Sequence, residues 1–154
     1  MQGDRPSLTA AAVALARHDP VPRALPWPLW PALTAWSRLG ASAPALRRAL
    51  EPALRSATLG LVDHIELRTA AIDAAVGDAV AAGARQHVVL GAGLDARAWR
   101  MPTLTDVTVF EVDHPATQGQ KRALFDGQRP SARRVVFLDV DFERQRLGDR
   151  LLGA

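Results

Sequence analysis

Three short apolar runs decide what this chain can fold into. His87 to Leu90 (HVVL), Val107 to Val112 (VTVFEV) and Val135 to Val140 (VVFLDV) are rich in β-branched residues. Such runs fit strands buried on both faces, as in a parallel sheet. The stretches that follow them, Leu94 to Arg100, Ala116 to Gln128 and Phe142 to Leu152, are compatible with helices. The order β-α-β-α-β-α, joined by right-handed crossovers, predicts a doubly wound α/β sheet of about three parallel strands.

Upstream the pattern is helical. Ser7 is placed to cap a helix over Leu8 to Arg17, and Ala43 to Leu59 and Leu61 to Ala82 also read as helices. In the last of these Leu61, Ile65, Ile72, Val76 and Val80 form an apolar stripe, and Gly83 stands where a helix ends. Between the first two, His18 to Pro31 carries five prolines with Trp27 and Trp30 among them, and Trp36 follows. Prolines at that density break any regular element. The tryptophans either anchor the segment on the domain, by the large apolar area each buries, or belong to a lid or partner-docking surface. The chain thus divides into a helical, Pro/Trp-containing segment over 1–60 and a sheet-bearing part over 61–154.

Composition removes several function classes. A chain of 154 residues is one domain's worth, and 48% hydrophobic residues argue against disorder. No cysteine is present, which excludes disulfides, thiolate-bound metal and cysteine nucleophiles. His18, His64 and His87 show no metal-ligand spacing. Of the 19 cations all but Lys121 are arginine, so the high isoelectric point reflects arginine's pKa and not a basic face. Aromatics at 5% do not interleave with a basic stripe, and nucleic acid is not an expected partner. No apolar run approaches the ~20 residues of a membrane span, and a soluble cytoplasmic protein is expected.

The chemistry concentrates at the ends of the predicted strands. Gly91-Ala92-Gly93 directly follows the first strand and opens a helix. Glycine there lets a ligand approach the backbone, and the helix start offers free N–H groups. Glu111 and Asp113 end the second strand, two residues apart and so on one face, where an acid can accept hydrogen bonds from ribose hydroxyls. The alternative for one of them is to cap the helix after Pro115. Asp139 closes the third strand, as an adenine contact or a solvated strand end. Ligands of open α/β sheets bind at this carboxyl edge. Two cofactors fit it, a nicotinamide dinucleotide and S-adenosylmethionine. Asp95, two residues past Gly93, would repel a pyrophosphate, although Arg97 could offset it; a cationic sulfonium tolerates the acids.

Arg68-Thr69 with Ile72-Asp73, then VLGAGLDARAWR over 89–100, FEVDHP over 110–115 and Leu138-Asp139 together resemble the leucine carboxyl methyltransferase family. The resemblance covers about residues 61–141. It implies a Rossmann-like fold and S-adenosylmethionine-dependent O-methylation of a carboxylate or small-molecule acceptor. It also implies that Arg68 holds the methionine carboxylate and that Gly91 and Gly93 line the methionine moiety, with Ala92 and Asp95 of the same turn among the cofactor-binding residues. Asp113, with Glu111 as second choice, would bind the ribose, and Asp139 and Val140 would contact adenine. No catalytic base is assigned: His114 sits before a proline, and a carboxylate acceptor is already ionised at pH 7. Catalysis would then rest on in-line alignment, which can supply ~7–11 kcal/mol. The family's sheet has further strands, so the chain reads as the N-terminal half of such a domain, with the first strand left as an apolar edge. Two other readings stand beside it: a fragment of an NAD(P)-binding oxidoreductase, and a non-enzymatic interaction module built on the Pro/Trp segment.

Overall fold

A computed structural model describes residues 43–57 and 60–153. The first predicted helix and the Pro/Trp segment lie outside the described residues. Helix α1 spans Pro44–Ala57 and α2 spans Leu61–Ala81. Strand β1 (Gln86–Leu90), a short helix α3 (Arg97–Arg100) and a 3-10 turn (Pro102–Leu104) follow. Then come β2 (Thr108–Asp113), α4 (Pro115–Leu124), β3 (Arg134–Asp139) and α5 (Leu147–Leu152).

The three strands are parallel in the order β1-β2-β3, with β2 central. The expected mixed α/β architecture with a three-strand parallel sheet is therefore present. Register places His87, Val109 and Val135 side by side, then Val89, Glu111 and Phe137, then Asp113 beside Asp139. These residues share one face. Val76 and Val80 of α2, Ala98 of α3, Met101 and Leu104 pack on it, with Val107 and Val109 wholly buried. Lys121 of α4 reaches Glu111 on the same face. Two successive right-handed crossovers in one direction leave their helices on one side of a sheet. The chain changes side after β3, where Leu147 and Leu151 of α5 pack against Val112, Leu138 and Val140 on the opposite face.

Several boundaries differ from the pattern-based expectation. The stretch from Leu94 is helical only from Arg97, because the Asp95 carboxylate takes the Arg97 N–H at 2.9 Å in a turn. The last helix starts at Leu147 rather than Phe142. Asp141 holds the intervening turn, its carbonyl accepting from the N–H groups of Arg144 and Gln145 and its carboxylate from that of Glu143. Of the stripe predicted along α2, Val76 and Val80 pack on the core, while Leu61 and Ile72 are exposed.

Burial on both faces holds for β2, but Val88 and Leu90 of β1 are 42% and 58% exposed. Among the described residues only α5 covers that face, and it packs over β2 and β3.

Candidate functional site at the carboxyl edge of the sheet

The turn after β1 adopts the backbone its glycines allow. Gly91 and Gly93 have φ of 62° and 48°, in the left-handed region that a side chain disfavours. Nothing stands within 4 Å of a Cβ placed at Gly91, so the need there is conformational rather than steric. Ala92, between them, is buried, and its N–H donates to the Val112 carbonyl of β2 at 3.0 Å.

Asp113 organises the edge. One carboxylate oxygen accepts from the Gly93 N–H at 2.5 Å, and the other from the His114 N–H at 2.6 Å. Its carbonyl accepts from the Val140 N–H at 2.9 Å. A single acid therefore ties the turn after β1 to the start of α4, while its backbone holds the end of β3. His114 caps α4, its Nδ1 accepting from the Ala116 N–H at 3.3 Å.

Glu111 does not stand at that edge. It is 1% exposed and its carboxylate meets the ammonium of Lys121 at 2.6 Å, which is buried on the inner face of α4 and lies 5.6 Å from the centre of the Trp99 ring. Burial pushes the Glu111 carboxyl up to about 7. Lys121 opposes the rise by its charge and hydrogen bond, and Asp95 and Asp113 add to it. Gln118, also buried, donates to the carbonyls of Glu111 and Leu138 at 2.6 and 3.0 Å and clips β2 to β3. Gln118, Lys121 and Phe125 follow helical spacing on one buried face, and a reading that counts only apolar residues overlooks it.

Asp139 stands beside Asp113 in register and meets Arg122 at 3.1 Å, with both side chains partly exposed. Val140 is wholly buried in the cluster under α5. Arg68 lies on α2 with its side chain exposed.

Sequence reasoning did not foresee the bridge behind the glycine turn. Arg97 is buried, with its side chain 7% exposed. Its Nε donates to Asp73 of α2 at 2.6 Å and its Nη1 to Asp95. Arg100 reaches the other oxygen of Asp73 at 2.6 Å. Burial pushes the Asp73 carboxyl up, but the hydrogen bonds and charges of Arg100 and Arg97 outweigh this and hold it below its ordinary value. The signal was the pairing of an acid at 73 with two arginines in Arg97-Ala98-Trp99-Arg100, which only a fold can bring together. His87 of β1 lies near this cluster. Burial lowers its pKa, and the charges of Asp95 and Arg97 pull in opposite directions. Among the described residues no cluster of three or more His, Cys, Asp or Glu could hold a metal ion. No described helix is long and apolar enough to cross a membrane.

The arrangement is a glycine turn, an acid at the end of the next strand and a second acid beside it, all at the carboxyl edge of a parallel sheet. The chain is similar over 99 residues, at 42% identity, to a protein of Mycobacteroides abscessus with the provisional name S-adenosyl-L-methionine-dependent methyltransferase. That match covers 62% of this chain and 33% of the relative. Relatives with the same provisional name in Mycolicibacterium paratuberculosis and Mycobacterium sp. strain KMS are 40% and 43% identical over 64% and 53% of this chain, and 31% and 32% of their own lengths. The chain thus spans about a third of the length of these curated relatives. The family model for leucine carboxyl methyltransferase matches residues 8–154, and the chain belongs to that family.

Proposed function

We propose that the chain binds S-adenosylmethionine at the carboxyl edge of its sheet and serves a methyltransferase acting on a carboxylate or other small-molecule oxygen acceptor. The observation that carries this reading is Asp113, held between the N–H groups of Gly93 and His114 at the end of β2. Each carboxylate oxygen accepts one backbone hydrogen bond, and each retains capacity for a second. Two ribose hydroxyls are donors of matching number.

The charge of the edge supports the same reading. Asp113 and Asp139 stand at it, whereas Asp95 in the glycine turn is paired with the buried Arg97 behind it. A dinucleotide would bring the negative charge of its pyrophosphate to an edge that already carries Asp113 and Asp139. A cationic sulfonium would be stabilised there. When bound, S-adenosylmethionine supplies an electrophilic methyl group.

The residues here would bind and orient. Gly91, Ala92, Gly93 and Asp95 form the turn for the methionine end, and Arg68 on α2 is the cation for its carboxylate. Asp113 takes the ribose, and Asp139 is the acceptor for the adenine amino group. Glu111 and Val140, both buried, support the edge from within the sheet. An ionised carboxylate acceptor needs no general base, and none is assigned among these residues.

The test is calorimetric titration of the chain and of Asp113→Ala with S-adenosylhomocysteine. Loss of two charge-assisted hydrogen bonds predicts a fall in affinity of at least about tenfold. Unchanged affinity in Asp113→Ala would refute the assignment.

A further inference from the structure

A bridge of ion pairs joins α2 to the glycine turn. Val76 and Val80 seat the C-terminal half of α2 on the sheet. Asp73 of α2 meets Arg97 and Arg100 just beyond the carboxyl end of β1, and the 21-residue helix is about 31 Å long against about 16 Å for the five-residue strand, which puts the helix's N-terminal half beyond that edge. Arg68 lies in that half, about 7.5 Å further along the axis than Asp73 at 1.5 Å per residue. Asp73 is fastened to the buried guanidinium of Arg97 at 2.6 Å and to Arg100. Arg97 in turn holds Asp95, through its Nη1 and through its own N–H at 2.9 Å. The Asp95 N–H donates to the Ala92 carbonyl at 2.8 Å, and Gly93 next to it is bound to Asp113. A continuous run of contacts therefore connects the helix carrying Arg68 to the turn carrying the glycines.

We infer that Arg97 and Asp73 are positioning residues, which fix the span between Arg68 and the Gly91–Asp113 edge and so set the affinity for the amino-acid end of the bound nucleoside. The inference rests on the proposed reading of that edge and of Arg68. It assigns to the bridge a part in ligand choice. Recognition of the ribose at Asp113 and of adenine at Asp139 does not depend on where α2 overhangs; recognition of the amino-acid carboxylate does.

Two ligands separate these ends. S-adenosylhomocysteine carries the amino-acid part, and 5′-methylthioadenosine lacks it. The full chain, Arg97→Gln and Asp73→Asn are titrated with both by calorimetry, with circular dichroism to establish folding. Arg97→Gln weakens S-adenosylhomocysteine by about tenfold or more, the size of one charged hydrogen bond, and leaves 5′-methylthioadenosine within about twofold. Asp73→Asn, which keeps the side-chain volume, moves the same ratio in the same direction and carries the test if Arg97→Gln does not fold. Leu104→Ala, a core variant away from the bridge, lowers the melting temperature without moving the ratio. A parallel loss of both ligands, or an unmoved ratio, overturns the inference while leaving the proposed function standing. Failure of the unaltered chain to bind either ligand overturns that reading and this inference with it.

Discussion

Replacing Lys121 by methionine isolates the energetics of the buried pair under α4. Methionine keeps most of the aliphatic stem beneath Trp99 and removes only the ammonium. Glu111 then remains 1% exposed with no counter-charge at 2.6 Å. Breaking a buried ion pair from one side costs about 3–5 kcal/mol, because the surviving charge is left without compensation. The cost depends on pH in a direction the structure fixes. The folded-state pKa of Glu111 is raised from 4.5 to about 7, so the native state holds this proton more tightly than the unfolded chain. Stability is fully present below 4.5 and falls as pH rises towards 7, by roughly 3 kcal/mol for this group. Without Lys121 the carboxyl rises further and the loss continues above pH 7. Urea denaturation followed by circular dichroism at pH 5 and pH 8 therefore reads a larger penalty for Lys121→Met at pH 8. At pH 5 the penalty shrinks towards the ~1–3 kcal/mol of an unsatisfied neutral group. The double variant Glu111→Leu/Lys121→Met removes both charges and returns to within about 1 kcal/mol of the parent, or exceeds it. An equal penalty at both pH values, or a double variant no more stable than Lys121→Met, refutes the reasoning.

Other expectations follow from the same geometry. Gly91→Ala meets no atom within 4 Å but must hold a φ of 62°, so it costs about 1–2 kcal/mol in chemical denaturation by conformation alone; a cost below a few tenths would contradict the backbone assignment. Leu104→Ala, at 0% exposure, loses about 2–5 kcal/mol in the same assay, and a loss under 1 kcal/mol would contradict its place in the core. The folded-state pKa of Asp73 is depressed, so its contribution is present above the ordinary carboxylate value and disappears as pH falls through the lowered one. Asp73→Asn should accordingly flatten the acid limb of the stability profile, and an unchanged limb would count against the ion pairs.

The sheet was legible because its signal is local. Runs such as VTVFEV and VVFLDV state their own periodicity, and each observed strand lies within a residue of its expected limits. The glycine turn was legible for the same reason, since strand, glycines and acid are adjacent in sequence. Helix starts were less so: Asp95 and Asp141 each use a carboxylate to hold a turn where propensity alone continues a helix. The site's support was least legible. Glu111 and Asp113 are two residues apart on one face, yet one is buried against Lys121 and the other sits at the edge. Alternation gives the face; only the position of α4 decides which residue of that face is covered. The Asp73–Arg97 contact spans 24 residues and depends on how α2 lies across the sheet, which no local pattern specifies.

The central claim is that the edge built by Gly91, Gly93 and Asp113 holds S-adenosylmethionine. Its most direct test is titration of the chain with S-adenosylhomocysteine and, separately, with NAD, alongside a far-ultraviolet circular dichroism spectrum. Saturable heat with S-adenosylhomocysteine and none with NAD is the predicted result. A folded spectrum with no heat from S-adenosylhomocysteine, or with binding of NAD in its place, would contradict it.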